Sequence, residues 1–437
     1  MIRAWAWRDF LVITLGFWLM AWPGLGGLFE REPGLAWNNL LCGAAAVVLG
    51  VMGLVPRFDL ARWGTCAIGC WLLFSPLVFW TQSAGTYDVN TLVGTLLIIF
   101  SVLVPMMPGR SHHKLMSMPG PDTPPGWSYN PSDWVQRAPI IAMALFGYFV
   151  ARYLAAFQLG HVDHPWDPFF VDGTRAVLAS DVSKAFPISD AGLGAVAYLL
   201  EALSGCMGGR NRWRTMPWMV AMFGVLVVPL GVVSIVLVIL QPVAVGAWCT
   251  LCLVTAAAML VMIAPALDEV VAMCQFLVRA RGEGRPFWRT FWLGGTLALE
   301  SRRTTAPPPP PLSQQLVSAL DLNHVPWNLL VSTALGIGLM TSPGVLGVTG
   351  ALADSLHLTG ALAVTCAVIA FGEIARPVRL LNLPLGLWVA VAPWLLADGT
   401  GPGRLSSAVG GVALALLSLP RGRIAERFGA WNRHLIW

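Results

Sequence analysis

From residue 216 to residue 250 the chain runs "MPWMVAMFGVLVVPLGVVSIVLVILQPVAVGAWCT" without one charged side chain. About 20 apolar helical residues suffice to cross a bilayer, and this stretch exceeds that. Others like it lie at roughly 9–27, 37–55, 64–81, 88–107, 138–159, 189–206, 327–347, 356–374, 383–398 and 405–420, with breaks near 240–246 dividing the longest into 216–240 and 246–266. In lipid every backbone N–H and C=O must be paired within the protein, so stretches of this length are helices. Charged residues make up 11% of the 437-residue chain and hydrophobic ones 56%, where about 25% charged is usual for a soluble domain. The expected fold class is an all-α integral membrane protein with about twelve transmembrane helices.

The basic residues orient these helices. Counting from an inner N-terminus, the outer segments hold only Arg31, Arg175, Lys184 and Arg404, and Arg152 lies inside the fifth span. Every other lysine and arginine falls on the inner side, as the positive-inside rule requires. The expectation is a multi-pass protein of the bacterial inner (cell) membrane with both termini cytoplasmic. The net charge of +5 is then a topology signal, and no nucleic-acid partner is expected.

Composition divides the chain further. Residues 109–137, rich in Pro, Gly and Ser, read as an irregular cytoplasmic linker. Residues 276–325 form a second one. It carries Arg279, Arg281, Arg285 and Arg289 interleaved with Phe287, Trp288, Phe291 and Trp292, then "APPPPP" at 306–311. A basic, aromatic segment of this kind suits the surface of an anionic leaflet, so membrane lipid is an expected partner.

The two ends of the chain repeat one pattern. "GFWLMAWPGLG" (16–26) and "GCWLLFSPLVF" (69–79) correspond to "GIGLMTSPGVL" (336–346) and "GLWVAVAPWLL" (386–396). Each closes near a proline: Pro23, Pro76, Pro343 and Pro393. The partner helices share "NLLCG" (39–43) and "NTLVG" (90–94), with weaker counterparts at Gly360 and Gly410. These stretches resemble SPW repeats, which implies two four-helix repeat units, 1–108 and 326–437, the latter with a basic C-terminal tail. Their spans hold almost no ionisable residue, as expected of a packing scaffold.

Between them, 138–275 has a different character. Its first outer loop, 159–190, is long, and at the outer end of its last span stands "GAWCTLCLV" (246–254). Of eight cysteines, six are scattered through apolar stretches, where a thiol packs as a small hydrophobe. Cys249 and Cys252 differ. No second ligand pair accompanies them, so a structural zinc site is not indicated. A helix N-terminus offers unpaired N–H groups and the positive dipole end, which favour a thiolate, and thiolate is the form that exchanges with disulfides. The topology puts this pair on the same side as the long loop, and an oxidising periplasm allows it to be held as a disulfide. Trp248, beside Cys249, reads as an interfacial anchor. Arg152, a charge within a span, is a candidate for a site near a bound ring. His161, Asp163, His164, Asp167 and Asp172 cluster in the outer loop, but their spacing is no metal signature, and no metal is expected.

The runs "VLASDVSKAFPISDAGLGAVAYLLEAL" (177–203) and 216–273 resemble the vitamin K epoxide reductase family. The resemblance implies a central four-helix bundle around a quinone, ubiquinone or menaquinone. Ser180 would be the family's loop serine and Cys249–Cys252 its redox pair, Cys249 exchanging with an incoming thiol and Cys252 reducing the quinone. Family members usually carry a second cysteine pair in the outer loop. Residues 159–190 contain none, with Thr174 and Arg175 where one would stand. A position one turn past Cys252 that carries a ring-binding tyrosine in some members is Ala256.

The function these features imply is a thiol:quinone oxidoreductase, taking electrons from periplasmic dithiols, with a thioredoxin-like thiol protein as partner. The missing loop cysteines keep open a non-catalytic assembly or quinone-sensing subunit. A transporter fits the span count but lacks the polar segments of a substrate path.

Overall fold

The computed structural model describes residues 6–104, 118, 120–296, 326–396 and 401–435. The start of the first linker (109–117) and the second linker from residue 297 onward, with the proline run 306–311, lie outside the described residues. The fourteen principal helices are α1 (Trp7–Leu25), α2 (Pro33–Gly53), α3 (Ala61–Val78), α4 (Ala84–Ile98), α5 (Trp134–Gln158), α6 (Gly173–Leu178), α7 (Asp190–Cys206), α8 (Pro217–Leu240), α9 (Thr250–Gly282), α10 (Phe287–Leu293), α11 (Trp327–Leu346), α12 (Gly350–Ile369), α13 (Asn382–Leu395) and α14 (Gly401–Ser418). No strand occurs among the described residues; a lone antiparallel bridge joins Trp127 and Phe428.

The protein is an all-α, multi-pass membrane protein. Among the described residues eight helices are long and apolar enough to cross a membrane, or nine if the bent pair Gly173–Ala185 and Asp190–Cys206 counts as one span. The other stretches expected to cross, α1, α3 and α14, are helical as well. Large apolar side chains such as Val225, Val232 and Val261 face outward, the arrangement that lipid accepts and water does not. Two boundaries differ from the sequence reading. Helix α5 starts at Trp134, inside the stretch assigned to the first linker. Helix α9 continues to Gly282, past residue 275, because "VVAMCQFLVRARG" keeps a helical period and its last turn carries Arg279 and Arg281, favourable at a helix C-terminus.

The chain forms two compact units. One comprises Met1–Met118, Leu145–Trp166 and Leu178–Gly208; the other comprises Pro119–Ala144, Asp167–Val177 and Gly209–Trp437. This division does not follow the sequence-based boundaries at 138 and 275. Helix α7 groups with the first repeat unit, whereas α8 and α9 group with the C-terminal helices.

In the first unit, α1 crosses α2 at Gly16 and Gly43, where a Cβ would come within 2.8 Å of the facing carbonyl or side chain. Helices α3 and α4 repeat this at Gly69 and Gly94. Small residues let two backbones approach closely where lipid supplies no hydrophobic drive for association. The repeated asparagines explain themselves here. Asn39 and Asn90 exchange hydrogen bonds of 2.8 and 3.0 Å across the buried interface, and Asn90 also donates to Ser75 Oγ at 3.2 Å. Near one end Arg62 pairs with Asp9 at 2.9 Å, both buried.

In the second unit, Gly336 meets Gly360 between α11 and α12, and Gly386 meets Gly411 between α13 and α14. The C-terminal repeat therefore has the same crossing device as the first, but its last glycine is Gly411 and not Gly410, whose added Cβ would meet only ordinary contacts. Helices α8 and α9 pack on each other and on α12. Further along α9 from Cys249, Glu269 takes Arg212 Nε at 2.6 Å and also the Ser132 hydroxyl, all three buried. Trp127, Trp213, Phe276 and Phe428 close an aromatic core beside it.

Candidate functional site

The site is built by the entry to α9. Gly246 adopts φ 70°, a left-handed conformation natural to glycine, and ends the preceding helical turn. The chain then extends, and Cys249 becomes the N-cap of α9. Its sulfur occupies the place of the usual capping oxygen and accepts from the Cys252 N–H at 3.1 Å. Buried Gln241 reaches over to accept the Cys249 N–H at 3.0 Å. Cys249 and Cys252 are joined as a disulfide, with Cα atoms 5.3 Å apart. The other six cysteines form no disulfide among the described residues.

A segment of the loop 159–190 covers this pair. Asp167 Oδ1 accepts from the Thr250 hydroxyl at 2.5 Å, and Oδ2 accepts both the N–H and the hydroxyl of Thr174 at 2.7 Å. Phe170 N–H adds a bond at 3.1 Å. Burial by itself would raise the Asp167 pKa, but the bonds from Thr250, Thr174 and Phe170 outweigh it and hold the carboxyl at about 2. Gly173 lies directly against the Trp248 carbonyl, where no side chain has room. Phe170 stacks on the Trp248 ring at 6.1 Å. The loop cluster that sequence inspection weighed as a metal site thus uses Asp167 as a fastener.

The consequence is an accessibility order opposite to the one the sequence suggests. Cys249, expected to be the reachable sulfur, is 0% exposed, while Cys252 is half-buried. The reason is tertiary: the segment Asp167–Thr174 is tied to Thr250, the residue next to Cys249.

Behind the pair lies a cavity of about 620 Å³, bounded by α8, the start of α9, α11, α12 and Phe170. Trp248 and Leu253, which flank the two cysteines in sequence, line it, as does Ala256. Its walls are mostly apolar, and His357 of α12 projects an imidazole among them, edge-on to Trp248 with ring centroids 4.8 Å apart. Volume, apolarity and few polar groups are those of a small-molecule site, and its residues suit a quinone ring. Sequence reasoning did not single out His357. Its signal was a histidine in an apolar helix, three residues after Asp354.

The remaining expected residues belong to the first unit. Arg152 pairs with Asp88 at 2.6 Å and lies 3.8 Å above the Tyr87 ring, so its charge is met by protein groups. Ser180 Oγ accepts the Ser183 N–H at 3.4 Å, shaping a short helical turn at Ser183–Ala185. Beside it Gln158 donates to Ser183 Oγ at 2.7 Å and to Asp190 Oδ1 at 2.6 Å, tying α5 to the start of α7.

Residues 138–267 match the family model of the vitamin K epoxide reductase family, and residues 6–104 match that of the SPW repeat domain. No curated protein and no solved structure matches the chain.

Proposed function

We propose that this protein is a thiol:quinone oxidoreductase of the bacterial inner membrane, with both termini cytoplasmic and Cys249–Cys252 facing the periplasm. The match of residues 138–267 to a membrane oxidoreductase family supports the reaction class. The observation that carries the reading is the disulfide at the N-cap of α9, beneath a loop segment and beside an apolar cavity.

The chemistry runs in two halves. A thiolate of a reduced periplasmic partner, a thioredoxin-like thiol protein, attacks Cys249 and expels Cys252 as thiolate, which the helix N-terminus stabilises. The partner's second thiol then displaces Cys249, leaving the partner oxidised and the protein as a dithiol. In the second half both protein thiols lose a proton and an electron, the S–S bond re-forms, and a ubiquinone or menaquinone takes up two electrons and two protons to become the quinol. Because Cys249 is covered, the first half requires the Asp167–Thr174 segment to lift.

The test is quinone reduction driven by a reduced periplasmic dithiol protein in membranes. Cys249→Ser and Cys252→Ser are each expected to abolish turnover. Retained turnover in Cys249→Ser would eliminate the mechanism. The absence of any cysteine from 159–190 and the burial of Cys249 favour a second reading, a non-catalytic quinone-sensing subunit. That reading gains if the wild type turns over no quinone while its disulfide still responds to quinone binding.

A further inference from the structure

His357 is 3% exposed. Its Nδ1 faces the Met340 carbonyl oxygen at 3.5 Å, and a carbonyl only accepts, so Nδ1 carries the hydrogen. The Val238 backbone of α8 also interacts with the imidazole, but Nε2, which is buried, makes no hydrogen bond of full geometry among the described residues. A buried polar atom left without a partner is unfavourable and calls for an account. The neighbouring hydroxyls do not serve it. Thr341 donates to the Ile337 carbonyl at 3.1 Å and Thr365 to the Ala361 carbonyl at 2.8 Å, both within their own helices.

We infer that the cavity beside the disulfide seats a quinone ring and that His357 Nε2 exchanges a proton with one of its oxygens. The inference rests on the thiol:quinone reading and assigns part of the site to α11 and α12, which lie outside the stretch matching the reductase family. With Nδ1 committed to Met340, Nε2 is a lone pair in the neutral ring and an N–H in the imidazolium. The ligand must therefore offer an oxygen that accepts in one state and donates in the other. A quinone carbonyl and a quinol hydroxyl do this; a lipid acyl chain has no such atom. Trp248, in edge contact with His357, supplies an aromatic wall for a planar ring.

Protons and electrons balance without a further reagent. The dithiol gives two electrons and two protons as its S–S bond forms. One quinone oxygen takes its proton from the His357 imidazolium, and the ring regains it from the thiol protons released beside it. The other oxygen takes the second. Among the lining residues the only other titratable side chain is Asp354, one turn nearer the start of α12 and exposed; α8, α9 and α11 contribute none. Asp354 is thus placed to pass protons between His357 and water.

The test uses full-length protein in lipid nanodiscs with a short-chain ubiquinone and a photoreactive azido-ubiquinone. His357→Leu is expected to raise the quinone KM at least tenfold and to remove the imidazole ionisation from the pH profile of kcat. His357→Gln, which keeps a polar end, should retain KM within about threefold yet lose the same ionisation. Reduction of Cys249–Cys252 by dithiothreitol should be unchanged in both. Azido-ubiquinone should label residues 337–361 in wild type and in the Cys249→Ser, Cys252→Ser double variant, and labelling should fall in His357→Leu. If His357→Leu does not fold, Ala257→Phe, at an exposed lining position, narrows the cavity and should raise KM likewise. Turnover with KM, pH profile and labelling all indifferent to these changes overturns the inference and leaves the oxidoreductase reading standing. Labelling that depends on His357 without any turnover upholds the site and sinks the reaction. Labelling confined to other segments overturns the inference whatever the turnover.

Discussion

Thr250 donates its hydroxyl to Asp167 at 2.5 Å, linking the residue beside Cys249 to a loop residue 83 positions earlier in the chain. The same carboxylate holds Thr174, so one charged acceptor fastens the loop segment over a sulfur that must be reached for thiol exchange. In the proposed reaction this fastening would gate the first half-reaction, together with the packing of Phe170 and Gly173 on Trp248.

Removing that acceptor should open the gate. Hydrogen bonds to a charged group contribute about 1.5–3 kcal/mol each, so losing those at Asp167 should raise the population of the open loop at least tenfold. In Asp167→Ala, maleimide modification of Cys249 after mild reduction should be faster by that factor. An unchanged rate would mean the loop is held by Phe170 and Gly173 packing alone.

The same bonds carry a pH signature. The Asp167 carboxyl is held at about 2, below its ordinary 3.8. A depressed carboxylate pKa contributes stability that is complete above the ordinary value and lost as pH falls toward the folded one. Loop protection of Cys249, read as the rate of disulfide reduction by a phosphine, should be flat in this respect from about pH 5 upward. It should weaken between about pH 4 and pH 2 in wild type and show no such acid step in Asp167→Asn.

Helix crossing separates two adjacent glycines. A Cβ at Gly411 would lie 2.4 Å or slightly more from the α13 backbone at Ala390 and Gly386, whereas one at Gly410 would stay 3.5 Å from Leu339. Gly411→Ala should destabilise by about 1–3 kcal/mol, the usual cost of overpacking. Gly410→Ala should leave the unfolding midpoint in detergent unchanged within error.

Thiol exchange should leave a trapped intermediate. With Cys252 replaced by Ser, the Cys249–partner disulfide has no resolving thiol on the protein side, and a mixed disulfide should accumulate on non-reducing gels. The six remaining cysteines should be dispensable. A trapped species that persists in Cys249→Ser would assign the exchange to the half-buried Cys252.

Further along α9, Glu269→Gln leaves buried Arg212 without its carboxylate. Breaking a buried pair from one side costs about 3–5 kcal/mol, so this variant should lose thermal stability while the Cys249–Cys252 disulfide stays intact.

Local spacing and composition were enough to determine the helices, their repeats and the dithiol. Uncharged runs such as 216–240 dictate helices in lipid, the paired glycines and asparagines of "NLLCG" and "NTLVG" mark repeated crossings, and Cys249–Cys252 at a span entrance marks a dithiol. Both matched families are carried by such contiguous stretches. The tertiary structure decided whatever depends on residues far apart in the chain. Nothing in the spacing of Asp167 announces Thr250 as its partner, nor does His357 announce Trp248. Gly410 and Gly411 are equally small, and only the face that α14 turns to α13 chooses between them. Periodicity specifies that a helix has faces. Which neighbour covers each face is set by packing of helices distant in the chain, and there Cys249 became buried and a histidine of the C-terminal repeat unit came to line the cavity beside it.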